Sequence, residues 1–326
     1  MACPAYQSIS KQKAREAVER AYVLHRGDDS GKNADYIPFL SNVDPSLFGI
    51  SMCFCDGTRI DVGDTDHAFG IESVSKVHTA ILAMRQQGTK AVLERIGADA
   101  TGLAFDSMLA LVLENARPST PLVNAGAIAA CSMIEPIGNR EAKWQAIEAN
   151  MEELSGGPLT LLDELYRSES ETNFTNRSIA WMLKRYGRIY DEPGLALDLY
   201  TRQCSLGVTT TQLATCAATI ANRGLNPVTG AQAFDPEIAA EVTCLITGAG
   251  FYQHTGEWLF RSGIPAKSGV GGGIMGVMPG LFGIAAFAPP LDEAGNSVRA
   301  QNAICTIMKE LDLNVFDSRH LTLVTD

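Results

Sequence analysis

No stretch of this chain is long and apolar enough to cross a membrane. The longest candidate, Leu281 to Leu291, is short and contains Pro289-Pro290. A basic surplus is also missing: Lys and Arg number 26 against 37 Asp and Glu, for a formal net charge of −11. That balance argues against nucleic acid or an anionic membrane surface as partner. The opening Met1-Ala2-Cys3-Pro4-Ala5-Tyr6 lacks the apolar core of a secretory signal, so a cytoplasmic protein is expected. The eight cysteines (Cys3, Cys53, Cys55, Cys131, Cys204, Cys216, Cys244, Cys305) have neither a disulfide-framework nor a zinc spacing, and most are expected as small core residues. The five histidines form no ligand-spaced pair, and His78 is expected to be structural. Neither a metal nor a cofactor is implied, and repeats and long linkers are absent. What remains, 326 residues at 46% hydrophobic and 19% charged, suffices for a sizeable core.

Helical periodicity opens the chain from Ile9 to Leu24. Gly49–Cys55 and Thr58–Asp61, joined through Asp56-Gly57, predict a β-hairpin. From Ser73 to about Ile220 the pattern is mostly helical, with segments at Gly126–Ile134, Glu141–Leu154, Asn176–Lys184, Leu195–Cys204 and Thr211–Asn222. Strand character returns at Glu257–Phe260, Gly272–Val277 and Gly283–Phe287, before a last helix from Ser297 to Leu311. The expected fold is α/β: one sheet built from both chain ends, flanked by terminal helices, with an inserted helical subdomain. One domain is expected over 1–326, with a sheet lobe at about 1–72 and 225–326 and a helical lobe at about 73–224.

Chemistry concentrates at Ser73-Val74-Ser75-Lys76. Positions i and i+3 share a helix face, so the Ser73 hydroxyl and Lys76 amine can meet. A neutral lysine there can take the serine proton and activate it for acyl transfer. Alone, the string is more often an N-cap serine followed by a solvated lysine. Support comes from Lys267-Ser268-Gly269-Val270-Gly271-Gly272-Gly273. A late Lys-Ser-Gly ahead of a strand is the companion of S-x-x-K in penicillin-recognising enzymes. Its glycines permit close backbone approach, and one of its N–H groups, with that of Ser73, could form an oxyanion hole.

The wider pattern resembles the serine-dependent glutaminases, in a short form like the bacterial members. It spans Ala34-Asp35-Tyr36-Ile37-Pro38, Gly63-Asp64-Thr65, Glu72-Ser73-Val74-Ser75-Lys76, Pro121-Leu122-Val123-Asn124-Ala125-Gly126, Ser168-Glu169 with Asn176, Tyr200 before Gln203-Cys204-Ser205, and the Lys267 segment. The resemblance implies a β-lactamase-like fold and hydrolysis of L-glutamine to L-glutamate and ammonia. It implies Ser73 as nucleophile, Lys76 as base, and Tyr252 or Tyr36 as proton relay. It further implies the N–H groups of Ser73 and Val270 as oxyanion hole, and Asn124, Glu169, Asn176 and Tyr200 as substrate contacts. Lys267, if close by, is expected to lower the pKa of Lys76 through its like charge, with partial desolvation pushing the same way. L-glutamine is the expected small-molecule partner, and a homo-oligomer, dimer or tetramer, is the expected assembly. Two alternatives stay open at this point. One is a penicillin-recognising hydrolase, although the S-x-N or Y-x-N tripeptide of that group occurs nowhere here. The other is a non-catalytic amino-acid sensor on the same fold.

Overall fold

Apolar alternation along Gly49–Phe54 puts Ile50, Met52 and Phe54 into one core and Cys53 into another, so this strand divides two layers. The structure is a computed structural model that describes residues 9–100, 102–113 and 116–317. Cys3 and His320 lie outside the described residues. The strands are β1 (Gly49–Phe54), β2 (Arg59–Gly63), β3 (Phe69–Gly70), β4 (Thr160–Leu161), β5 (Leu206–Val208), β6 (Ala266–Ser268), β7 (Gly273–Met278) and β8 (Phe282–Phe287).

The predicted hairpin forms. Gly57 takes φ +84°, and Phe54 N–H donates to Thr58 O at 2.8 Å, which turns the chain from β1 into β2. On its other edge β1 pairs antiparallel with β8, Gly49 opposite Phe287 and Phe54 opposite Phe282. The five-stranded sheet runs β2-β1-β8-β7-β6, so both ends of the chain supply it. Its outer face is covered by the terminal helices Lys11–His25 and Val298–Leu311. Ala14, Ala17 and Val18 of the first, and Ala303, Ile304 and Ile307 of the second, share a core with Ile50, Met52 and Ile284.

The inner face is covered by the Thr210–Ala221 helix, which belongs to the middle of the sequence. Its Leu213, Ala214, Ala217 and Ala218 pack with Cys53, Met275, Ala285 and Phe287. Contact is close because β8 carries Gly283: a Cβ there would lie 2.1 Å from Ala218 N and 2.5 Å from Ala214 O. The expected α/β architecture is therefore present, an antiparallel sheet from both termini with helices inserted between.

Two segments differ from expectation. Glu257–Phe260 is not a strand; it lies in the helix Thr255–Ser262. Four residues are too few for alternation to separate strand from helix, and tertiary contacts decided: Trp258 is buried, stacks on Phe251 at 4.3 Å and donates to Ile264 O at 2.7 Å. Phe260 is left 92% exposed, and Gly263 closes the helix at φ +66°. Pro236–Ala249, which no sequence expectation covered, is a helix with Pro at its first position. Of the seven described cysteines, all free, Cys53, Cys131, Cys204 and Cys216 are buried as expected, while Cys244 is exposed. No helix among the described residues is long and apolar enough to cross a membrane.

A second, three-stranded sheet, β3-β5-β4, ties the approach to Ser73 to the helical region: Ile71 N–H donates to Leu206 O at 2.8 Å. This junction of large sheet and helices positions the site.

Candidate active site

Glu72 begins the turn that carries Ser73, and its φ of +50° lies in the left-handed region that side chains disfavour. Glu72–Val74 form one 3-10 turn, and the helix Ser75–Gln87 follows, so Ser73 stands just ahead of the helix. Ser75 Oγ donates to Glu72 O at 2.6 Å and accepts from Gln203 Nε2 at 3.3 Å. A buried amide on a distant helix thus braces the strained turn.

Lys76 is fully buried, and its Nζ meets Ser73 Oγ at 3.0 Å, Asn124 Oδ1 at 2.6 Å and Tyr252 OH at 3.2 Å. Burial lowers its pKa to about 8, against the opposing pull of Cys204, Glu72, Glu169 and Asp106. In its neutral form the amine keeps two N–H groups for Asn124 and Tyr252 and a lone pair for the Ser73 proton. Tyr252 is set by a φ of +54° in the short turn Tyr252–His254. Its phenol is raised above its ordinary value by burial, with the Ser73 contact acting the other way.

Lys267, also fully buried, donates to Ser268 O at 2.6 Å and lies 4.0 Å from the Tyr252 ring centroid. Its pKa is held well below the ordinary lysine value by burial first and the Lys76 charge second. Burial is the first cause of the shift at Lys76, and at Lys267 the Lys76 charge adds to burial.

A cleft of about 300 Å³ opens over Ser73. Asn124, Glu169, Asn176, Tyr200 and Val270 all line it, as does Tyr36. Asn124 starts the helix Asn124–Met133, where its side chain links three groups: Oδ1 accepts from Lys76 and from Tyr200 OH at 3.2 Å, and Nδ2 donates to Asn176 Oδ1 at 2.8 Å. Tyr36 is 57% exposed and, among the described residues, makes no hydrogen bond to Ser73 or Lys76. Of the two phenols named from sequence, Tyr252 alone bonds Lys76.

Val270 arrives through the glycine turn. Gly269 N–H donates to Gly273 O at 2.9 Å, and Gly272 takes φ +97°. A Cβ on Gly271 would sit 2.3 Å from Gly70 O, so only glycine lets this turn press against the strand leading to Ser73. The family-implied residues thus converge, from elements scattered along the chain.

Other cleft residues carried no role in the sequence reading: Phe105, Asp106, Thr172, Asn173, Cys204 and, above all, Glu72. Glu72 is 3% exposed and Glu169 9%. Their carboxyls lie within hydrogen-bond reach of each other, and burial raises both above the ordinary carboxylate range. The Glu169 charge raises Glu72 further. The signal for Glu72 was its place directly before Ser73. His78, by contrast, faces away: Nδ1 lies 3.2 Å from Val74 O, and burial holds the ring at about 4, neutral and structural.

Comparison with known proteins agrees with this geometry. The family model described as Glutaminase matches residues 31–316. A glutaminase of Bacteroides thetaiotaomicron is 61% identical over 318 residues, 98% of this chain and 99% of that protein. A solved structure described as the probable glutaminase ybaS superposes with a TM-score of 0.92 at 46% identity, covering 94% of this chain and 99% of that one. A crystal structure of Mglu in its glutamate form gives 0.88 at 34% identity, over 93% of this chain and 70% of that one. These likenesses set aside the penicillin-recognising alternative. With a β-lactamase-like sheet-and-helix fold and a family match over most of its length, the chain belongs to the glutaminase family of enzymes.

Proposed function

We propose that this protein hydrolyses the side-chain amide of L-glutamine to L-glutamate and ammonia through a γ-glutamyl ester on Ser73. Lys76 takes the Ser73 proton as Oγ attacks the amide carbon. The N–H groups of Ser73 and Val270 hold the developing oxyanion, worth a few kcal/mol per donor in such sites. Collapse of the tetrahedral intermediate breaks the C–N bond, and a proton routed from Lys76 through Tyr252 leaves with ammonia. Water then attacks the ester, Lys76 again takes a proton, and Ser73 is restored. Glu169 pairs with the α-ammonium, while Asn124, Asn176 and Tyr200 supply polar contacts at the cleft wall. Tyr36 lines the open side of the cleft, where it can assist proton transfer.

The contact that carries this reading is Lys76 Nζ to Ser73 Oγ at 3.0 Å in a fully buried position. That the related Mglu has been solved in a glutamate form supports glutamate as the product. Ammonia release from L-glutamine by the purified protein, with Ser73→Ala as comparison, is the test. Turnover by Ser73→Ala within a few-fold of the parent would remove Ser73 as nucleophile. The same reading has the chain acting as one domain, without a cofactor, in the cytoplasm and as a dimer or tetramer. Sedimentation of the purified protein at a monomer's mass would overturn the assembly.

A further inference from the structure

Glu72 places a carboxyl where nothing in the reaction scheme uses one. Its side chain is 3% exposed, lines the cleft beside Ser73, and keeps Oε1 without a hydrogen-bond partner. Room for it is built in: a Cβ at Gly271 would lie 3.1 Å from Glu72 Cγ, and one at Gly70 3.4 Å from Oε1. The backbone accepts φ +50° to hold it there. A buried carboxyl on a strained turn, with one oxygen left without a partner at a cleft, is a feature that function maintains.

Glu169 faces it from the helix Asp163–Thr172. Among the described residues, neither carboxylate has a cation within ion-pair distance. Lys76 gives its hydrogen bonds to Ser73, Asn124 and Tyr252. The other charged or titratable groups facing the pair are Tyr36, Tyr200, Cys204, Tyr252 and, across the cleft, Asp106. Lys267 lies beneath Tyr252. The Lys76 charge favours the ionised form of both carboxyls, but a single cation balances only one negative charge, and two adjacent negative charges away from water are costly.

We propose that Glu72 and Glu169 form a carboxyl pair that shares one proton while the cleft is empty and releases it to solvent when the α-ammonium of the substrate enters. Recognition of the ammonium is then a cation-for-proton exchange by two residues, and Glu72 is a specificity residue beside Glu169. The inference rests on the glutaminase reading, and it makes substrate binding, separately from chemistry, dependent on pH. Affinity rises with pH until the pair has lost its proton, because below that point binding must expel it.

The test uses the full chain carrying Ser73→Ala, which cannot acylate, titrated calorimetrically with L-glutamine in buffers of different ionisation enthalpy between about pH 6 and about pH 8. Up to one proton per site is released on binding. Glutaramate, which lacks the α-amino group, releases none, and adding Glu72→Gln abolishes the release with L-glutamine. In the Ser73-containing enzyme, KM for glutamine falls with rising pH by up to about tenfold per unit, while kcat follows Lys76. Glu72→Gln flattens the KM profile and leaves the kcat limb in place. Equal proton release with glutaramate, or from the Glu72→Gln protein, overturns the pair; the glutaramate comparison holds even if that variant fails to fold. L-glutamine binding with no proton release overturns the pair and leaves the glutaminase reading standing. Absence of any L-glutamine binding overturns that reading and the pair with it.

Discussion

Lys267 Nζ sits 4.0 Å from the centre of the Tyr252 ring, and the hydroxyl of that ring reaches Lys76 Nζ at 3.2 Å. The two buried lysines are thus separated by a phenol. Burial and the Lys76 charge keep Lys267 well below the ordinary lysine range, and burial brings Lys76 to about 8. Lys267 packs against the Tyr252 ring and donates to Ser268 O.

Because Lys76 acts in its unprotonated form, kcat rises with pH through a limb set by Lys76 in the substrate complex, from its value of about 8 in the empty cleft, and levels above it. Lys267→Met, similar in length and uncharged, leaves this limb within a few tenths of a pH unit and lowers the plateau by disturbing Tyr252. A pH–rate profile for both proteins checks this. A limb displaced by a full unit would show the charge role expected from sequence.

The same burial makes Lys76 a cost to the fold. Its pKa is about 8 in the folded chain against 10.5 in the ordinary state, so the unfolded chain binds the extra proton between those values. Stability therefore rises with pH across that window, and the penalty is fully present below about 8. At 1.36 kcal/mol per unit it is on the order of 3 kcal/mol. Lys76→Met is expected to abolish turnover and raise the melting temperature at neutral pH by several degrees. Thermal unfolding at pH 7 measures it; a lower melting temperature would mean that the hydrogen bonds to Asn124 and Tyr252 outweigh the desolvation.

Glu169→Gln replaces a charge-assisted contact to the α-ammonium by a neutral one. Such a contact is worth roughly 1.5–3 kcal/mol, or about tenfold to over a hundredfold in affinity. The loss should appear with L-glutamine and shrink with glutaramate. Asparagine, one methylene shorter, is held with its amide short of Ser73 and is a poor substrate. Steady-state kinetics on these compounds decide the point, and equal losses for both amides would take Glu169 out of recognition.

Gly283 tests the fold apart from the chemistry. Gly283→Ala inserts a Cβ 2.1 Å from Ala218 N, against backbone that cannot rotate away. Separation of the Thr210–Ala221 helix from the sheet costs about 1–3 kcal/mol or more. A urea midpoint unchanged from the parent would show that this contact relaxes without loss.

Much of this molecule is local and was therefore legible. The Asp56-Gly57 hairpin follows from a turn that needs positive φ, which Gly57 supplies. The terminal helices and the Asn124, Arg140 and Thr210 helices follow from 3.6-residue periodicity, within a residue or two at each end. The four residues from Glu257 to Phe260 misled because so short an apolar cluster fits either period, and the burial of Trp258 settled it as helix. The Pro236–Ala249 helix escaped for want of a chemical motif, although its leading proline marks the start.

The sequence by itself determined which chemical groups are available and which lie within one turn of each other, as Ser73 and Lys76 do. Covalent spacing and backbone periodicity are short-range, and short-range rules suffice for them. Only the tertiary structure decided what those groups are worth. It buried Lys76 and so set its proton affinity, chose Tyr252 over Tyr36 as the phenol bonded to Lys76, and brought Glu72 against Glu169. Desolvation and the fields of distant side chains depend on what packs around a residue in space, and no local pattern in a chain encodes that.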